Sequence, residues 1–292
     1  MASLAPVPLG TWPTPLEPAP RLSDALGLDE LWIKRDDLTG LGGGGNKVRK
    51  LQWLCAQALD AGATRLVTTG AAQSNHARLT AAAAARLGLP CTLVLRGDPP
   101  ATHRGNLLLD ELSGAAIVWA GAAPLDEVAA AQDGYVIPFG GTSPVSARGY
   151  QGCARELLAQ LPDLSTVVVA LGSGGTMAGL VAELGPHRVQ GVDVGALPDP
   201  RATVAALLTD MGTPADPAAL QIDETQVGAG YATLTDSVRS ALVLAARTEG
   251  LFLDPTYTGR ALAGLRANPP DGKVVFLHTG GLPGLFGHPD LT

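Results

Sequence analysis

A chain of 292 residues with 46% hydrophobic and only 16% charged residues has the apolar mass for one large globule or two intimate domains, and its composition excludes intrinsic disorder. Its net charge of −7, with no Lys/Arg stripe set against it, argues against nucleic acid and anionic membrane as partners. Cys55, Cys91 and Cys153 are odd in number, widely spaced and without a C-x-x-C pair, so they read as small buried apolar side chains, not disulfides or metal ligands.

In chain order, six prolines within residues 5–21 predict an extended arm. A short strand over 31–33 leads into the charged run Lys34, Arg35, Asp36, Asp37 and then into four consecutive glycines, Gly42, Gly43, Gly44 and Gly45. Each glycine loses more backbone freedom on ordering than any other residue, so four together imply that backbone passes very close to something. Asn46, a good N-cap, opens a helix in which Val48, Leu51, Leu54, Cys55 and Ala58 recur at helical spacing. Lys47 stands at its head.

Strands are then expected over 65–69, 91–95, 116–119 and 135–138, with helices from the Ser74 region to 87, over 106–112 and over 125–131. The second half predicts a helix over 145–160, a β-branched strand over 166–171, a helix to 184, a strand over 189–194, helices over 202–211, 237–248 and 259–267, and a last strand over 273–277. The polar stretch 213–235 resists assignment. Near-regular alternation of strand and helix predicts an α/β fold, with parallel sheets covered by helices on both faces. Such sheets bind ligands at the carboxyl ends of their strands, where the glycine-rich and polar motifs fall.

Three motifs carry candidate chemistry. Gly172, Ser173, Gly174, Gly175 and Thr176 follow the β-branched strand and open a helix, an arrangement suited to one phosphate. Met177 occupies the last glycine position of a dinucleotide fingerprint, which therefore fails. The alternative is a tight βα turn. Around Lys47 the nucleotide P-loop also fails, because Asn46 and Val48 stand where Gly and Ser/Thr are required. A lysine at a helix N-terminus faces the positive dipole end, which disfavours its charged form and suits attack on an aldehyde. The alternative is a solvent lysine in a cluster with Arg49 and Lys50. Finally, Ser74, Asn75 and His76 lie at a strand-to-helix turn, where Ser74 either caps the helix or, with Asn75, faces the crevice. The histidines have no ligand spacing, so no metal is expected.

Together these segments resemble the fold-type-II pyridoxal-phosphate enzymes, specifically the family of 1-aminocyclopropane-1-carboxylate (ACC) deaminase and D-cysteine desulfhydrase. The matching pieces include Lys34-Arg35-Asp36-Asp37-Leu38-Thr39-Gly40, Gly44-Gly45-Asn46-Lys47-Val48-Arg49-Lys50-Leu51, Gln73-Ser74-Asn75-His76, Asp254-Pro255-Thr256-Tyr257-Thr258-Gly259 and His278-Thr279-Gly280-Gly281, in the family's order. The resemblance implies two open, twisted, mostly parallel sheets: a large domain of residues 1–42 and 148–292 and a small domain of residues 43–147. It implies pyridoxal 5′-phosphate as cofactor, joined to Lys47, with Asn75 at its 3′-oxygen. Gly172, Ser173, Gly174, Gly175 and Thr176 would hold the phosphate, and Thr279 would face the ring nitrogen. Ser74, Tyr257 and Tyr231 would act on a small amino-acid substrate. A homodimer is also implied. The cytoplasm is the expected address, since no basic-then-apolar leader and no apolar run of ~18 residues is read.

Two positions bear on the substrate. ACC deaminases of the family carry Glu at the position of Thr258 and Leu at that of Thr279, so both residues favour D-cysteine desulfhydration over ACC ring opening. A binder of a phosphorylated ligand without catalytic activity is the alternative from another class. The chain is trimmed near residues 96–104 and 196–201 relative to usual members, and Tyr231 lies in a weakly matching stretch.

Overall fold

The computed structural model describes residues 4–291. The chain opens with β1 (Leu16–Pro18), α1 (Pro20–Leu26) and β2 (Glu30–Lys34). The proline-rich arm is thus not wholly extended: Leu16–Pro18 pairs antiparallel with β2, and Pro20 starts a helix at the position where a missing N–H does no harm. Next come α2 (Lys47–Asp60), β3 (Leu66–Gly70), α3 (Asn75–Leu87), β4 (Cys91–Leu95), α4 (Asn106–Leu112), β5 (Ala116–Trp119), α5 (Leu125–Ala130) and β6 (Tyr135–Val136). The long α6 (Pro144–Gln160), capped by Ser143 in a capping box, returns the chain to β7 (Thr166–Leu171), α7 (Gly175–Leu184), β8 (Val189–Asp193) and α8 (Pro200–Asp210). The remainder is β9 (Gln221–Asp223), α9 (Asp236–Glu249), α10 (Thr258–Ala267), β10 (Lys273–Leu277) and α11 (Leu282–Gly287). β9 lies inside the unassigned polar stretch, and α11 carried no periodic signal.

The strands form two sheets. One has the order β1-β2-β10-β7-β8-β9, all parallel except β1. The other has the order β5-β4-β3-β6, all parallel, and its strands fall between residues 66 and 136. Central strands β3, β4, β7 and β8 are buried at every residue, as expected where helices cover both faces. Val167, Val169 and Leu171 pack against α6 and α7 on one face, while Val168 and Ala170 meet α9 and α10 on the other. Each fully buried Val or Leu contributes about 1.5–3 kcal/mol.

The two sheets are tied together through α2, α6 and α7. A Cβ on Gly149 of α6 would collide with the Arg49 carbonyl, and one on Gly179 of α7 would collide with the Ala147 carbonyl. Only glycine allows these helices to approach so closely. The backbone of α2, which begins at Lys47, is thereby held against the larger sheet.

Candidate active site

The segment before Lys47 is pinned by hydrogen bonds. Gly45 N–H donates to the Asp36 carbonyl (3.0 Å) and to Thr39 Oγ1 (2.9 Å), and Asn46 N–H donates to the Thr279 carbonyl (2.9 Å). Arg78, fully buried, donates to the carbonyls of Gly42 and Gly44. What the glycines approach is other backbone: a Cβ on Gly44 would strike the Asp37 carbonyl, and one on Gly280 would lie 2.7 Å from Gly45 Cα. Gly44 and Gly45 also take φ of 75° and 129°, which side chains rarely adopt. Asn46 precedes the helix but makes no capping bond. Its amide instead donates to Thr176 Oγ1 (3.3 Å), across the cleft.

Lys47 is the first residue of α2, and its Nζ donates to the Gly140 carbonyl (2.9 Å). Burial lowers its pKa to about 8, because the ammonium loses hydration and no carboxylate pairs with it. The amine is therefore partly neutral near physiological pH. Arg49 and Lys50 do not form a solvent cluster with it, since both are buried. Arg49 turns away into a charged network, whereas Lys50, three residues on from Lys47, shares its face of the helix.

Lys50 stands over the loop after β7. Its Nζ donates to Thr142 Oγ1 (3.0 Å), which pairs with Ser173 Oγ (2.6 Å). A Cβ on Gly175 would lie 3.0 Å from Lys50 Nζ, and one on Gly172 would lie 3.1 Å from the Tyr257 ring. Gly174 takes φ of 84°. The loop Gly172–Ser173–Gly174 thus ends at the N-terminus of α7 as a cup of backbone N–H groups, with Ser173 and Thr176 hydroxyls and a buried cation beside it. Burial, reinforced by Lys47, holds the Lys50 pKa well below the usual lysine range, a cost that a bound anion would relieve. Spacing from Lys47 was the signal that could have found Lys50. Nothing local marks Thr142 or Gly140.

The opposite wall comes from α3 and the C-terminal half. Ser74 Oγ accepts from Ala77 N–H (3.1 Å), so it caps α3 while bordering the cavity. Asn75 Oδ1 is buried with no hydrogen-bond partner. Tyr257 and Tyr231 meet hydroxyl to hydroxyl (2.5 Å), edge to face with centroids 6.2 Å apart. Both tyrosine pKa values are raised, chiefly by burial, so the hydroxyls stay protonated. Buried Asp254 fixes the Tyr257 turn by accepting from the N–H groups of Thr256 (2.9 Å), Tyr257 (2.9 Å) and Thr258 (2.8 Å). Arg260 fixes the Tyr231 loop by donating to the carbonyls of Gly230 (2.8 Å) and Thr233 (2.7 Å). Thr258 is fully buried and donates to Asp254 Oδ1 (2.7 Å). It therefore supports the Tyr257 turn and does not face the cleft, whereas Thr279 borders it.

Every predicted site residue except Gly175 borders one cavity of about 340 Å³, and Gly175 lies behind it as the first residue of α7. The walls are the carboxyl ends of β3, β4, β7, β8 and β10, so both sheets contribute. These residues fit a phosphorylated pyridine aldehyde: a near-neutral amine for the aldehyde, an unpartnered Asn75 oxygen, and a cup whose Cβ-free walls suit a phosphate.

Comparison with known proteins agrees. The family model described as "Pyridoxal-phosphate dependent enzyme" matches residues 7–280. D-cysteine desulfhydrase of Klebsiella pneumoniae subsp. pneumoniae is 41% identical, the match covering 96% of this chain and 95% of that one. A protein of Pyrococcus abyssi named as a candidate ACC deaminase is 40% identical over 94% of this chain and 91% of its own. The crystal structure of an ACC deaminase homologue superposes with a TM-score of 0.90 at 35% identity, covering 99% of this chain and 95% of that one. With the amine, the cup and two mostly parallel sheets in one chain, the protein belongs to the family of pyridoxal-phosphate-dependent enzymes, with the fold-type-II architecture.

Proposed function

We propose that the chain catalyses α,β-elimination on a small amino acid, D-cysteine first, converting it with one water to pyruvate, ammonia and hydrogen sulfide. The observation that carries this reading is the convergence in one cavity of the Lys47 amine with a pKa of about 8, the phosphate cup and the Tyr231–Tyr257 hydroxyl pair. Bound pyridoxal phosphate supplies the electron sink that makes the Cα proton of an amino acid removable. This chain's residues do the rest. The Gly172–Thr176 loop and Lys50 would hold the phosphate, and Asn75 would serve the ring's 3′-oxygen. Lys47, as a neutral amine in the cavity, would take the Cα proton. Ser74 serves the substrate carboxylate, and Tyr257, backed by Tyr231, donates a proton toward the departing sulfur. Thr279, which borders the cavity, would offer the ring nitrogen a neutral hydroxyl, which does not enforce protonation as a carboxylate does. Negative charge at Cα is then less stabilised, and prompt loss of a good leaving group is favoured.

The names of the Klebsiella and Pyrococcus relatives support D-cysteine and ACC respectively, and Thr279 favours D-cysteine. Thr258 bears on the choice only through the Tyr257 turn. The test is a pyruvate and sulfide assay of cofactor-loaded enzyme with D-cysteine, L-cysteine, D-serine and ACC. Turnover of D-cysteine is expected, and pyruvate from ACC alone overturns the substrate. A visible absorbance band that borohydride fails to fix at Lys47 overturns the enzymatic reading altogether. The same proposal includes a small domain of residues 43–147, supported by the second sheet lying within it, and a cytoplasmic homodimer, supported by the family resemblance. No helix among the described residues is long and apolar enough to cross a membrane. Sedimentation of the purified protein tests the stoichiometry.

A further inference from the structure

The charges bordering the cavity are unbalanced. Lys47, Lys50 and Arg96 border it and no Asp or Glu does, in a chain with 27 acidic and 20 basic residues. Lys50 stands at the phosphate cup and Lys47 is the reactive amine, so two of the three cations have an assigned counterpart. Arg96 has none. It follows the last residue of β4, and its N–H donates to the Gly70 carbonyl at 2.9 Å. Since Gly70 and Leu95 are in register, Arg96 stands beside Ala71, where the loop carrying Ser74 and Asn75 begins. It therefore belongs to the substrate side of the cavity, on the four-stranded sheet, whereas the phosphate cup belongs to the six-stranded one. Its side chain is exposed, and no carboxylate of the described residues pairs with it. Leu125, half-buried, and Phe139, 57% exposed, border the same cavity and offer apolar surface for a short carbon chain.

We propose that Arg96 is a specificity-determining residue that selects amino acids carrying a second negative charge, an anionic group at the end of the side chain, with a carboxylate as the simplest case. A guanidinium presents a planar fork of donors that matches a carboxylate in two parallel bonds, the geometry in which an ion pair at a solvent-reached site is strongest. The proposal rests on the reading of this cavity as an amino-acid site, but not on which substituent departs from it.

Aspartate and asparagine are near-isosteric and differ in charge, so they isolate the effect. Both, as D and L enantiomers, are titrated into the cofactor-loaded enzyme while the cofactor absorbance is followed. Wild type is expected to bind aspartate of one hand about 10-fold more tightly than the matching asparagine, with the preference shrinking as ionic strength rises. Arg96→Gln is expected to reduce the preference to within about threefold, and Arg96→Lys to keep part of it, since an ammonium offers charge without the fork. An unchanged cofactor band in the variants reports an intact fold. Three results overturn the proposal: no preference for either aspartate in wild type, a preference that survives in Arg96→Gln, or equal loss of aspartate and asparagine binding, which would make Arg96 a partner of the α-carboxylate. Because binding is read, a preference for aspartate in an enzyme inert toward D-cysteine would sink the proposed reaction and leave this inference standing.

Discussion

Arg49 and Lys50 are neighbours on α2, both are buried, and their surroundings differ completely. Arg49 donates to Asp36 (2.8 and 2.9 Å) and to Glu156 (2.8 Å twice), and its guanidinium lies 4.1 Å from the centroid of the Trp12 ring. Asp36 also accepts from Tyr150 (2.7 Å) and Thr14 (2.9 Å), and Lys34 joins by donating to Glu156 at 2.8 Å. Burial alone would raise the Asp36 carboxyl, but Arg49 and the two hydroxyls outweigh it and hold it below the usual carboxylate range. On the cleft side, Lys50 and Lys47 have hydroxyl and carbonyl acceptors but no carboxylate, and burial pulls both down. A buried charge with its counter-ion inside the protein holds structure together. A buried cation without one, placed as Lys50 is beside a glycine-walled cup, suits an anion from outside.

The contrast can be broken from either side. Lys47→Ala removes the reactive amine, and turnover should fall at least ~10³-fold, with loss of the visible band that borohydride fixes. Normal turnover in that variant would displace Lys47 from the mechanism. On the network side, Asp36→Asn removes one of the two carboxylates that Arg49 pairs with at an interior site, Glu156 remaining, and should cost about 1.5–3 kcal/mol, read as a lower urea midpoint with an unchanged slope. The wild-type contribution has a definite sign with pH: because the Asp36 pKa is depressed in the folded protein, its stabilisation is present above the ordinary carboxylate pKa and is lost as acid titrates through the lower folded value.

Lys50→Gln should act on the cofactor more than on the fold, weakening pyridoxal-phosphate binding ~10- to 100-fold by equilibrium dialysis, as expected for one charge-assisted bond. A stability loss comparable to that of Asp36→Asn, with cofactor affinity unchanged, would assign Lys50 to the network class. The smallest effect is a pH dependence. Burial lowers the Lys47 pKa from 10.5 to about 8 in the cofactor-free protein, so the neutral amine gains population as pH rises through that value. The rate of cofactor uptake should climb with a midpoint near 8, and a midpoint near 10.5 would show that the amine is not desolvated.

Much of the architecture was readable from residue order. Strands Cys91–Leu95, Thr166–Leu171 and Lys273–Leu277 and helix Asn106–Leu112 fall where periodicity and turn residues put them. Elements that depend on a distant partner were not. β1 exists because β2 pairs with it, and α11 has one turn and a half with no apolar period. Periodicity also could not tell Arg49 from Lys50, since hydropathy assigns both to solvent.

By itself the sequence determined the alternation of strand and helix and the close backbone approach at the glycine run, because these follow from local sterics, and its motifs carried the resemblance that implied pyridoxal phosphate. Tertiary structure alone decided what the glycine run approaches, that Thr258 faces Asp254 and not the cleft, and which cations keep counter-ions. Those outcomes depend on contacts between residues as far apart as Gly45 and Thr279, or Lys50 and Thr142, where the energy of a charge is set by what the fold brings beside it.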